Sequence, residues 1–182
     1  MKGMTNVFGE LDIKDRWNLK IIKVESNEVK NYTPIGMAYV MMRYASFEGK
    51  DISLSYKYGC VNTRDSFVVE CEENSSACII DFPGLSLLET RLFIQDCLDM
   101  GNLSYMDGGT NTTAINPGRL GDPVINYVHF PAHMYQTLHT HPSHRVGLVI
   151  RGNGKIELDN KEFYDINEGE IFFMRRNCLH NF

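Results

Sequence analysis

The stretch that decides the fold is His139-Thr140-His141-Pro142-Ser143-His144-Arg145-Val146-Gly147-Leu148-Val149-Ile150-Arg151-Gly152-Asn153-Gly154. In extended chain, side chains alternate faces, and residues i and i+2 stand about 6.6 Å apart on one side. His139 and His141 therefore aim two imidazoles into one space, close enough to share an ion at about 2.0–2.1 Å. The apolar run from Val146 to Ile150 reads as a buried strand, and Gly152-Asn153-Gly154 reads as the turn that ends it. Further strands follow at Lys155-Leu158 and Glu170-Met174, with a second turn at Asn167-Glu168-Gly169, and others precede at Val124-His129 and Tyr135-His139.

All six histidines, His129, His133, His139, His141, His144 and His180, lie beyond residue 128. Histidine is the commonest metal ligand and the group that titrates near neutrality, so the chemistry is expected in this part of the chain. From about residue 20 to 82 the pattern is short β-rich runs, including Leu19-Val24, Met37-Met42, Ser66-Glu70 and Ala77-Phe82, separated by turn residues. One helix is expected, at about 87–100. Ser86-Leu87-Leu88-Glu89 has the capping-box form, Leu88, Leu92 and Leu98 supply an apolar face, and Gly101 supplies a cap. The expected division is a β-rich N-terminal region over 1–101, a turn-rich connection over 102–123, and a metal-binding region over 124–182.

The chain has 182 residues, 43% hydrophobic and 23% charged, which is ordinary for a folded domain with its own core. Its net charge of −5 lacks the basic footprint that nucleic acid or an anionic membrane requires, so neither is expected as a partner. No apolar run approaches the length of a spanning helix, and charges interrupt the N-terminus where a signal peptide needs an apolar core. A cytoplasmic protein is expected. Cys60, Cys71, Cys78, Cys97 and Cys178 are odd in number with no CxxC pair, which reads as idle thiols in a reducing compartment.

The histidine stretch resembles the first motif of the cupin superfamily, HxHPxxExxxVLxGxG. Gly169-Glu170-Ile171-Phe172-Phe173-Met174-Arg175-Arg176-Asn177-Cys178-Leu179-His180 resembles the second, G-D-x-x-x-x-P-x-G-x-x-H. The resemblance covers about residues 124–182. It implies a mostly β fold, a jelly-roll β-barrel, with His139, His141 and His180 as metal ligands at its mouth. Two positions depart from the pattern. Arg145 stands where the family supplies a Glu ligand, and an Arg cannot bind a cation; Met174 stands where the second motif has Pro. A three-histidine site with open positions remains chemically sound, and three-His cupins include dioxygenases.

The resemblance therefore implies a divalent transition metal, Fe(II) first, with Zn, Mn or Ni as alternatives, and a dioxygenase-type activity on a small anionic molecule. It equally implies a small-molecule-sensing or binding module of a regulator or larger protein. If the strand continues past Pro142, Arg145 shares the parity of His139 and His141 and offers a fork for a carboxylate or phosphate. It otherwise leaves the rim for solvent or pairs with Glu157 or Glu170. Tyr135 and Thr137, in phase with His139, are expected to line the ligand pocket. The barrel edge beside His180 needs cover, from N-terminal strands such as Leu19-Val24 or Met37-Met42, or from a second copy in a homodimer.

Overall fold

In the computed structural model, which describes residues 3–15, 18–86, 89–95 and 100–182, the chain is built of strands. These are β1 (Met4–Asn6), β2 (Glu10–Ile13), β3 (Leu19–Val24), β4 (Val29–Tyr32), β5 (Met37–Glu48), β6 (Ser53–Thr63), β7 (Phe67–Glu70), β8 (Ser76–Phe82), β9 (Arg91–Gln95), β10 (Leu103–Ser104), β11 (Thr110–Ile115), β12 (Ile125–His129), β13 (Arg145–Leu148), β14 (Asn153–Leu158), β15 (Phe163–Asn167), β16 (Ile171–Met174) and β17 (His180–Asn181). They fall into two compact units. The first holds Met1–Val7, Asp99–Thr112 and Asn126–Phe182, and the second holds Phe8–Leu98 and Thr113–Ile125.

The second unit is an antiparallel sheet in the order β2-β3-β8-β5-β6-β9, with β7 pairing β5 and β4 pairing β7. Strand β5 serves two neighbours in turn. Met37–Arg43 pairs β8, then the register shifts through two irregularities and Ser46–Glu48 pairs β7. Extra residues of this kind bend a strand and turn a sheet's corner, and Tyr44, at the bend, takes a left-handed φ of 52°. Ile22, Val24, Val40, Met42, Phe47, Val61, Val69 and Ile79 fill the space so enclosed. Leu19-Val24 and Met37-Met42 are thus spent within this unit.

Among the described residues the expected helix is not formed. Arg91–Gln95 is instead a strand paired with β6 in the register Asn62↔Arg91 to Tyr58↔Gln95. The remaining helix positions at 87, 88 and 96–99 lie outside the described residues. The ladder overrode the local capping signal for a physical reason. The edge of β6 offers unpaired backbone groups, the Asn62 side-chain oxygen accepts from the Arg91 amide at 2.6 Å, and Gly59 leaves room where a Cβ would strike the Phe93 carbonyl. Among the described residues the only helical turn is the 3-10 turn Met106–Gly108, and no helix is long and apolar enough to cross a membrane.

The first unit carries two three-stranded sheets, β1-β16-β13 and β15-β14-β17. Met4, Ile156, Leu158 and Met174 form its buried centre, with Tyr164, Phe172 and Phe182 packed against them. Met174, the residue in place of the motif's Pro, is 1% exposed and belongs to this core. Gly152 and Gly169 both occupy positive φ, 84° and 79°, which only the turns anticipated at these positions require. The edge of β16 is covered by β1, in the register Met4↔Met174 to Asn6↔Phe172. In the connection over 102–123, β10 pairs β11 in the register Leu103↔Asn111 and Ser104↔Thr110.

Candidate metal centre

His139, His141 and His180 converge, with one ligating nitrogen of each within 4.8 Å of the others. Their ring centroids are 4.9 Å apart for His139 and His141, 4.5 Å for His139 and His180, and 5.3 Å for His141 and His180. Backbone pairing brings them together. His139 and His180 form an antiparallel bridge in which each amide donates to the other's carbonyl, at 2.9 and 3.0 Å. Directly opposed residues share one face of a sheet, so the bridge puts both rings on one side. His141 follows two residues on, where its carbonyl accepts from the Asn177 amide at 2.7 Å.

Two of the rings are also oriented by the main chain. Nδ1 of His139 donates to the Thr137 carbonyl at 2.8 Å, and Nδ1 of His180 donates to the Cys178 carbonyl at 2.9 Å. A carbonyl can only accept, so each Nδ1 carries the proton and each Nε2 is left as a lone-pair donor. This is the tautomer that a metal-ligating histidine needs. Burial is the main reason the His141 imidazole is pushed down to about 4, aided by Arg145, His139 and His180. Burial likewise lowers His180, against the opposing hydrogen bond to Cys178. Both rings are therefore neutral at neutral pH.

Arg145 opens β13, opposite Met174 of β16. The residue is exposed, yet its guanidinium is desolvated enough to pull its pKa below the ordinary value, with Tyr105 opposing that shift. Arg145 also lowers the pKa of both His141 and His180, so its charge reaches the cluster. The two carboxylates available to it in the sequence are engaged elsewhere. Glu157 accepts from Tyr135 and Asn181, and Glu170 accepts from Asn167. The sequence pattern does not single out Tyr105, which comes from the turn-rich connection and carries no motif.

The remaining candidates have other partners. Tyr135 is 67% exposed and donates to Glu157 at 2.6 Å. Thr137 is exposed, and its amide and hydroxyl both meet the Asp107 carboxylate, at 2.7 and 3.3 Å. Strand parity does not govern this segment. His139 faces His180, but the amide of Gln136 donates to Phe182 at 2.9 Å. Residues 135–138 thus form no ladder, only His139 bridges His180, and strand alternation does not carry over to Tyr135 and Thr137. His144 accepts from the Arg176 amide at 3.1 Å and lies on the Phe173 ring, apart from the cluster. His133 is exposed with a φ of 63°.

No thiol competes as a nucleophile among the described residues. Cys60, Cys71 and Cys78 are buried, and burial pushes their pKa values up, to about 12 for Cys60 and about 11 for Cys71. The donor set is three imidazoles with no carboxylate, which suits a divalent transition metal with open positions.

The family model of the AraC-like ligand-binding domain matches residues 121–182. No curated protein matches the sequence. Several solved structures share the fold across nearly the whole chain. A cupin 2 conserved barrel domain protein from Leptotrichia buccalis is 14% identical, with a TM-score of 0.54 over 98% of this chain and 80% of its own. A glyoxylate-induced protein from Pseudomonas aeruginosa is 13% identical, with a TM-score of 0.62 over 98% and 74%. A salicylate 1,2-dioxygenase from Pseudaminobacter salicylatoxidans is 10% identical, with a TM-score of 0.56 over 94% and 72%.

Proposed function

We propose that this chain, a member of the cupin superfamily by its fold and its two C-terminal motifs, is a metalloenzyme of dioxygenase type acting on a small anionic molecule. The observation that carries this reading is the arrangement of His139, His141 and His180, three imidazoles gathered within ligand distance, two of them with Nδ1 bonded to backbone carbonyls. These three residues would hold one divalent transition metal, Fe(II) in first place. Such a metal supplies Lewis-acid polarisation of a bound molecule and, as Fe(II), dioxygen activation.

The chain's own residues do the rest. His180, 1% exposed, keeps bulk water from the inner side of the site. Arg145 receives the anionic group of the substrate, for which its planar fork of N–H donors is matched. Its charge also disfavours protonation of His141 and His180, so the ligand nitrogens stay available. The likeness of residues 121–182 to the AraC-like ligand-binding domain favours a second reading, a sensing module that binds its molecule without turnover.

Elemental analysis of the purified protein, followed by oxygen-electrode assays of the Fe(II)-loaded protein with aliphatic and aromatic carboxylates, tests both. One metal per chain with carboxylate-dependent oxygen uptake supports the enzyme. Saturable carboxylate binding with no oxygen uptake supports the module. Metal content unaffected by replacing both His139 and His141 with Ala would remove the basis of the enzyme reading.

A further inference from the structure

Gln136 is 1% exposed, and neither its side-chain oxygen nor its side-chain nitrogen has a hydrogen-bond partner among the described residues. A buried carboxamide left in that state forfeits its bonds to water, and in folded proteins such groups are met by an ordered water or a bound ligand. Its position is specific. The amide of Gln136 donates to the carbonyl of Phe182, two residues beyond His180. Gln136 is buried while its neighbours Tyr135 and Thr137 are exposed, so its side chain lies on the inner side of the chain, the side on which His180 is also buried. The Phe182 ring packs on His180 at 5.7 Å, and on Phe130 and Phe172 at 5.3 and 5.8 Å. Gln136 is thus a polar group beside an apolar cluster, bonded through its amide to the chain two residues beyond His180. The flanking Tyr135 and Thr137 bond to Glu157 and Asp107 at the surface.

We propose that the Gln136 carboxamide is the specificity group of the site, reading a hydroxyl or carboxamide on a small carboxylate whose anionic end lies on Arg145. A primary amide offers donors and an acceptor together. The partner that satisfies both is a group that itself donates and accepts, which separates hydroxy acids and amide acids from plain carboxylates. A site built to bond such a group rejects analogues lacking it, because its own buried atoms are then left unpaired. The inference deepens the reading of the histidine cluster as a ligand site and rests on it.

The experiment has two arms. In the ligand-free, metal-free protein, Gln136→Met and Gln136→Leu remove both unpaired atoms while keeping bulk. The expected result is a melting temperature raised by about 2–4 °C in at least one variant. A fall in both shows that the carboxamide has partners within the folded protein, and overturns the proposal.

In the second arm, the Zn(II)-loaded protein is titrated calorimetrically with glycolate, lactate and malonamate against acetate and propionate. The first set is expected to bind about 10-fold tighter than the second. That ratio should collapse toward unity in Gln136→Met, with acetate unchanged, whereas Arg145→Lys should weaken both sets alike. A ratio that survives Gln136→Met, or no binding by any of these carboxylates, overturns the proposal. Failure to load zinc counts against the histidine reading instead, and the melting arm still decides the state of Gln136.

Discussion

His139 and His180, 41 residues apart in sequence, exchange both of their backbone hydrogen bonds, at 2.9 and 3.0 Å. The two histidine-bearing segments are therefore stitched together at His139 and His180, and the histidine cluster is positioned by main chain before any side chain is considered. His180 is buried in this bridge while His141 is only half-buried, so the two ligands should separate in their effects. His180→Ala is expected to lose metal and about 1–3 kcal/mol of stability. His141→Ala should lose metal with a stability change within about 1 kcal/mol. Urea denaturation alongside elemental analysis checks both.

The neutral state of His141 has a pH signature. Its folded pKa is lowered to about 4 from the ordinary 6.5, so between these values the unfolded chain binds the extra proton and the folded chain does not. Stability then rises with pH across this window and is lost as pH falls from about 6.5 toward 4. In metal-free protein, urea midpoints measured at pH 7, 6 and 5 should fall more steeply for the natural chain than for His141→Asn. Equal slopes would refute the assignment to His141.

Arg145→Lys keeps the charge but replaces the planar fork by a point donor. Metal content should be unchanged, and affinity for a carboxylate probe such as acetate should drop by about 10-fold. Calorimetry on the metal-loaded protein measures this. Loss of metal instead would make Arg145 a structural support of the cluster.

In the second unit, Asp81 is fully buried and accepts from the Tyr32 hydroxyl at 2.9 Å and from the Ile35 and Gly36 amides at 2.8 and 3.3 Å. Burial, with Asp81 beside it, raises the Tyr32 pKa, so the hydroxyl stays a donor throughout the accessible pH range. Asp81→Ala orphans three donors at once and should cost about 3 kcal/mol or more, whereas Tyr32→Phe should cost about 1–2 kcal/mol. Denaturant titration of the two variants gives the comparison.

The strands and the histidine cluster were legible in sequence because each rests on short-range pattern. The i, i+2 spacing of His139 and His141 survives in the fold, and so do the turns at Gly152 and Gly169. Two features depended on partners distant in the chain and could not be read locally. The segment after Ser86 carries a sound helix-start signal, but the open edge of β6 recruits Arg91–Gln95 into a ladder. The expected strand Tyr135-His139 is not formed: only His139 bridges His180, and the rest of the segment makes no ladder. Tyr135 and Thr137 consequently bond to Glu157 and Asp107, while Gln136, unremarkable in sequence, becomes buried.

Strand β1 pairs with β16 across roughly 170 residues, Met4 opposite Met174, and Val7 and Gly3 add bonds to Ile171 and Arg175. During synthesis β1 emerges long before its partner β16, so it must wait unpaired while the intervening second unit, with its own core, can already fold. Pairing so remote in sequence carries a large loop-closure cost and favours slow final assembly. The histidine bridge lies in the unit that this late step closes. Closure of the bridge between His139 and His180 is thus a late step, and a chain truncated before His180 should present a folded second unit with an incomplete histidine cluster.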